Sequence, residues 1–190
     1  MSTLDLAAES KRPPAEVVMD LSLSDEAKAI MPECSNTLAF LNRLCDEELF
    51  HDAFITLARV LPRQYAIIWA ERCFSSYPAD GFSDEDRNCI EIVRQWLKNP
   101  SDSMRQAAMD AAESLEFSTA SAWLGAAVGF SGGSLAPPDV PEVMPPEHLT
   151  AVAIAAGLSM LSVLNPDTMI EGSRRMVDEG IAMVAIPGGS

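Results

Sequence analysis

A chain of 190 residues with 28 acidic against 13 basic side chains carries a formal net charge of −15. That field repels phosphate backbones and anionic lipid, so nucleic-acid binding and attachment to acidic membranes are excluded as expectations. The length fits one domain able to bury a core without metals or disulfides. Hydrophobic residues make up 48%, and apolar runs with a period of two are scarce, which predicts an all-α protein.

Taken in order, the N-terminus lacks a charged segment followed by an apolar run, so no signal peptide is expected. Lys11-Arg12-Pro13-Pro14 argues against regular structure, and residues 1–20 read as a flexible tail before a single helical domain over 21–186. A short helix is predicted from Leu21 to Met31, capped by Ser22 or Ser24 and stopped by Pro32. Ser35-Asn36-Thr37 supplies cap chemistry for Leu38 to Cys45, where Leu38, Leu41 and Cys45 share a face. From Glu47 to Leu61, Phe50, Ala53, Phe54, Leu57, Ala58 and Leu61 fall at helical spacing on one core face. Pro62 then opens a helix over Arg63 to Tyr77, with Tyr65, Ile68, Trp69, Arg72 and Cys73 on one stripe and Ala66, Ala70 and Phe74 on another. Apolar on two sides, it belongs in the middle of the fold.

Ser83-Asp84-Glu85-Asp86 has the spacing of a capping box and places acids at the positive end of the next helix. Cys89, Ile90, Val93, Trp96 and Leu97 follow as its apolar stripe. Asn99-Pro100 ends it and Ser101 caps another, whose narrow face of Ala107, Ala108, Ala111 and Ala112 allows close helix approach. Ala120 to Phe130, Pro146 to Leu164 and a last helix after Asn165-Pro166 complete the reading. About eight helices with short connections predict an α-solenoid-like (HEAT- or armadillo-like) or irregular antiparallel helical domain. The longest apolar run, Ala151 to Leu164, is shorter than the ~20 residues of a membrane span, so it reads as a buried core helix with no membrane insertion.

Candidate chemistry is sparse. Cys34, Cys45, Cys73 and Cys89 are spaced too irregularly for zinc or redox motifs and read as core thiols of a cytoplasmic protein. Glu48-x-x-His51 is half of a di-iron signature, without a second such pair, and with only His51 and His148 in the chain no metal or cofactor is expected. Gly129-Phe130-Ser131-Gly132-Gly133 spells G-x-S-x-G, with Asp139 and His148 downstream in hydrolase order. That motif works as a strand-to-helix elbow; here it follows a helix and precedes prolines, which favours a helix-ending turn over a nucleophile. Trp69-Ala70-Glu71-Arg72 is expected to make a structural polar contact between helices. The segment Leu135 to Glu147 resists a purely structural reading. Leu135, Pro137, Pro138, Val140, Pro141, Val143 and Met144 form an extended apolar stretch that either packs on its own domain or contacts a partner.

The order L-P-R-Q-Y-A-I-I-W-A-E-R-C (61 to 73), E-I-V-R-Q-W-L-K-N-P-S-D-S-M-R-Q-A-A-M-D-A-A-E (91 to 113), then S-G-G-S-L-A-P-P (131 to 138), P-E-V-M-P-P and L-T-A-V-A resembles a poorly characterised bacterial family of small helical proteins. Its members are encoded beside type VI secretion genes, near tip proteins and effector chaperones. The resemblance covers roughly residues 40 to 185, and S-G-G-S-L-A-P-P is its most specific part. Where that family often has two adjacent aromatics before the serine, this chain has Gly129-Phe130, which suggests looser packing there. The resemblance implies a non-enzymatic co-chaperone or adaptor for effector loading, with a secretion chaperone, tip protein or effector as its protein partner and no catalytic residues to carry over. Two alternatives are an immunity protein that neutralises a toxin and a serine hydrolase using Ser131.

Overall fold

The computed structural model describes residues 8, 10–78, 81–136 and 139–185. Among them the chain is all-α, with no strand. The helices are α1 (Pro14–Val17), α2 (Asp25–Ile30), α3 (Thr37–Asp46), α4 (Phe50–Val60), α5 (Arg63–Ser75), α6 (Asp84–Lys98), α7 (Asp102–Ser114), α8 (Ala120–Gly129), α9 (Leu149–Ser162) and α10 (Met169–Ala185). Short 3-10 turns at Met31–Glu33 and Pro166–Thr168 follow α2 and precede α10.

The starts of these helices follow from side chains that satisfy their otherwise orphaned amide donors. Ser24, Asn36, Ser83, Ser101 and Thr119 each accept from the amide three residues on. Ser83 and Asp86 form the complete reciprocal box that the spacing predicts. Pro62 stands just before α5, preset for a helix entry.

The centre is built from α8 and α9, both apolar on every side and therefore enclosed. α9 packs against α8, α4, α5 and α10, while α8 also meets α6 and α7. A solenoid repeat touches its sequence neighbours. The contact of α9 with α4 joins segments far apart in the chain, and so fits the irregular arrangement of the two anticipated. No single described helix is long and apolar enough to cross a membrane.

Trp69, Phe40, Phe54, Leu57 and Leu158 are among the fully enclosed side chains. The Trp69 indole donates to the Met176 carbonyl at 2.7 Å, which ties α5 to α10, and its ring lies 6.3 Å from that of Phe54. Small residues set the spacing elsewhere. A Cβ on Gly125 would stand 2.8 Å from the Ala108 carbonyl oxygen and from the Cys89 sulfur, so α8 approaches the backbone of α7 and the Cys89 side chain of α6 closely.

Three expectations differ. Leu38 and Tyr65, placed on core stripes, are exposed at 36% and 49%; Phe40, Leu44, Ala66 and Ile67 fill those places instead. The tail predicted over residues 1–20 gives way to packed structure by Ser10. The Ser10 carbonyl accepts from the Leu38 amide at 3.0 Å, and the Arg12 carbonyl from the Thr37 amide and hydroxyl at 2.9 and 2.8 Å. Pro13 precedes α1 and Pro14 opens it, and Val17 and Val18 are buried. Prolines that forbid a helix interior are well placed at its first turn, and that is the use made of them.

Candidate functional site

The turn after α8 and the loop that follows hold the sequence-predicted contact residues. Their anchor is Arg105, in the first turns of α7. Its side chain is 7% exposed, and its guanidinium donates to the Asp102 carboxylate at 2.8 Å, to the Gly129 carbonyl at 2.8 Å and to the Ser134 carbonyl at 3.1 Å. One planar fork thus ties together α7, the last residue of α8 and the Ser131–Ser134 turn. Buried charge is tolerated when it is paired and its donors are used in this way.

Gly133 has φ +65°, the left-handed region that side chains disfavour. A Cβ there would also lie 2.7 Å from Arg105 Nε and 2.7 Å from Asp102 Oδ1. Gly132 has neither constraint, since nothing lies within 4 Å of the place a Cβ would take. The helix-ending turn is therefore real, and the second glycine of the pair is the one it needs.

Ser131 is occupied structurally. Its hydroxyl donates to the Val128 carbonyl at 2.7 Å and its amide to the same oxygen at 3.0 Å, as a helix-terminal serine does. Arg63 donates to the Ser131 carbonyl at 3.3 Å, and Thr150 of α9 to the Phe130 carbonyl at 3.0 Å. The strand-to-helix elbow that a G-x-S-x-G nucleophile requires is replaced by a helix end.

Beyond the turn, Ser134 organises the loop. Its hydroxyl oxygen accepts from the Ala136 amide at 3.0 Å and the Val143 amide at 3.1 Å, and the Leu135 amide donates to the Val143 carbonyl at 2.8 Å. The loop closes on itself at its neck, bringing Leu135 beside Val143, while Pro145 is buried underneath. Held by that neck, Leu135, Val140, Val143 and Met144 are 40%, 48%, 55% and 60% exposed, and Pro141 is exposed too. Pro137 and Pro138 lie outside the described residues.

The other candidates disperse. His51 Nδ1 lies 3.0 Å from the Ser159 hydroxyl, joining α4 to α9, while Glu48 sits in the α3–α4 connection at φ +59°. His148 immediately precedes α9 and makes no side-chain cap. Glu71 accepts from Arg94 of α6 at 2.7 Å, the predicted polar contact between helices. Arg174 pairs with Asp46 at 2.8 Å. Among the described residues no group of three His, Cys, Asp or Glu side chains could hold a metal ion. Cys45, Cys73 and Cys89 are buried free thiols. Burial pushes the Cys45 and Cys89 thiols up to about 11 and the Cys73 thiol higher still, so all three are protonated and unreactive at neutral pH.

Arg105 escaped the sequence reading, because an arginine in the acidic opening of an amphipathic helix reads as surface. Its signal was available: it stands three residues after Asp102 on the face that carries Ala108 and Ala112.

Fold and site together define an acidic all-α protein that presents an apolar loop from a clamped helix end. The chain belongs to a family of unknown function, DUF6931, whose family model matches residues 40–184. No curated protein and no solved structure matches the chain.

Proposed function

We propose that this protein is non-enzymatic and works through protein contacts, with the loop from Leu135 to Met144 as its contact surface. One observation carries the reading. Apolar side chains that could fold inward are held in solvent by a neck of hydrogen bonds, themselves anchored through Ser134 to a buried arginine. Exposed apolar residues held in place by hydrogen bonds are the usual anchors of a protein interface. The family resemblance directs the search for the partner to type VI secretion: a cytoplasmic adaptor or co-chaperone for effector loading, bound to a chaperone, tip protein or effector.

The test is a pull-down with tip protein, effector chaperone and effector from the same cell. Replacing Val140, Val143 and Met144 by Ser removes the partner and leaves the helical circular-dichroism signal unchanged, since these side chains contribute little to the core. Recovery of partner at wild-type yield overturns the loop as contact surface. Protection of cells from a toxin, with no effect on export, assigns the protein to immunity instead.

A further inference from the structure

Beside the loop neck, α7 and the segment from Phe130 to Ala136 enclose an open groove of about 470 Å³. Met109, Phe117, Phe130 and Leu135 supply its apolar surface, and Asp110 and Glu113 its acidic rim. Three features mark it as a candidate docking site.

First, the rim acids are exposed and neither has a cationic partner among the described residues. Among the described residues the one cation lining the groove, Arg105, is committed to Asp102 and two carbonyls. The rim is thus net negative on a protein of charge −15. Second, Phe117 stands on strained backbone. Glu116 and Phe117 follow one another at φ +52° and +51°, a conformation unfavourable for non-glycine residues and most so for bulky ones. The strain is held by the Phe117 amide donating to the Ala112 carbonyl at 3.1 Å and by ring contact with Trp123 at 5.6 Å. Third, Leu135 belongs both to the groove and to the loop neck, where it sits beside Val143. Leu135 thus joins the groove to the loop neck.

We infer that this groove receives an amphipathic, cationic segment of a partner protein. Aliphatic side chains on one face of the segment fill the space among Met109, Phe117, Phe130 and Leu135, and flanking Lys or Arg residues pair with Asp110 and Glu113. The occupant's charge follows from the unpaired rim acids and the field behind them, which attract a cation and repel an acidic peptide or an anionic lipid surface. An apolar trough with a charged margin is the arrangement that binds one face of a helix. The inference rests on the protein-contact reading above, and adds the chemistry of the partner to it.

The experiment uses the full chain and two labelled peptides with the same leucines at helical spacing, one with lysines and one with glutamates at the flanking positions. Fluorescence anisotropy is expected to show saturable binding of the lysine peptide, weakening as salt is raised. The glutamate peptide does not bind. The Met109 and Leu135 methyl resonances shift with the lysine peptide. Asp110→Lys with Glu113→Lys, both on the exposed face of α7, lowers its affinity by roughly tenfold or more and leaves the circular-dichroism spectrum unchanged. Absence of saturable binding, equal binding of both peptides, or an unaffected charge-reversed variant overturns the inference. So does a concentration-dependent dimer that the reversal dissociates, which assigns the groove to a second copy of this chain. The native partner separates the two readings. If charge reversal leaves the pull-down intact while the Val140, Val143 and Met144 variant abolishes it, the groove falls and the loop stands; the opposite pattern removes the loop and keeps the groove.

Discussion

At the scale of single residues, Arg105 and Gly133 are the pair on which the site depends. Arg105→Ala would leave the Gly129 and Ser134 carbonyls without their donor and Asp102 without its cation. The expected loss is about 2–4 kcal/mol by chemical denaturation, the range for breaking a buried charge-assisted cluster. Arg105→Lys recovers only part of it, because an ammonium cannot reproduce the planar fork. Gly133→Val combines a disfavoured φ with a side chain driven into Arg105 and Asp102, and should cost about 2 kcal/mol or more. Gly132→Val, with open space around it, should cost well under half of that. Equal melting temperatures for the two glycine variants would show that the clamp does not constrain the turn.

At the scale of elements, the capping group of α6 also fastens α8. Burial disfavours the Asp86 carboxylate, but hydrogen bonds from Ser121, Thr119 and Ser83 outweigh it and hold the group below its ordinary value of 3.8. Ser121 and Thr119 belong to the start of α8, so this one carboxylate links two helix N-termini. A depressed folded pKa contributes stability that is fully present above the unfolded value and disappears as pH falls through the folded one. The wild-type protein should therefore lose stability below about pH 4, as Asp86 and other paired carboxylates protonate. Asp86→Asn should be destabilised by about 1 kcal/mol at neutral pH and show a shallower acid limb. Denaturant titrations across that pH range check it, and superimposable acid limbs would remove Asp86 from the account.

Across the whole molecule, the folded unit begins earlier than its proline-rich start suggests. Val17 and Val18 are each 5% exposed, and the Ser10 and Arg12 carbonyls bond the opening of α3. Val17→Ser with Val18→Ser should lower global stability by about 3 kcal/mol, from the apolar burial lost, with one cooperative transition retained. A melting curve unchanged from wild type would return this segment to the status of an appendage. The negative field likewise belongs to the whole chain rather than to any one pair. On the proposed reading, association with a basic partner should be faster at low salt, and replacing the apolar loop residues should raise the dissociation rate; stopped-flow mixing across a salt series checks both.

The amino-acid sequence by itself determined most of the helices and many of their ends, α1 behind Pro13 excepted. Caps such as Asn36, Ser83, Ser101 and Thr119 act through amides three residues away, and apolar spacing at 3.6 residues is a local property. It also determined that α8 and α9 are buried, since neither has a polar face to offer water. The loop's apolar character was legible too, from Val140, Val143 and Met144. Which side of it faces solvent was not. That is decided by Ser134 accepting from Val143, nine residues on, and by Arg105 reaching 24 and 29 residues along the chain to Gly129 and Ser134. The groove has the same origin, because Met109 and Leu135 become neighbours only when α7 and α8 pack at the distance that Gly125 allows. Local propensity travels about one helical turn, whereas a clamp and a groove are made by side chains from segments that meet only in the folded chain.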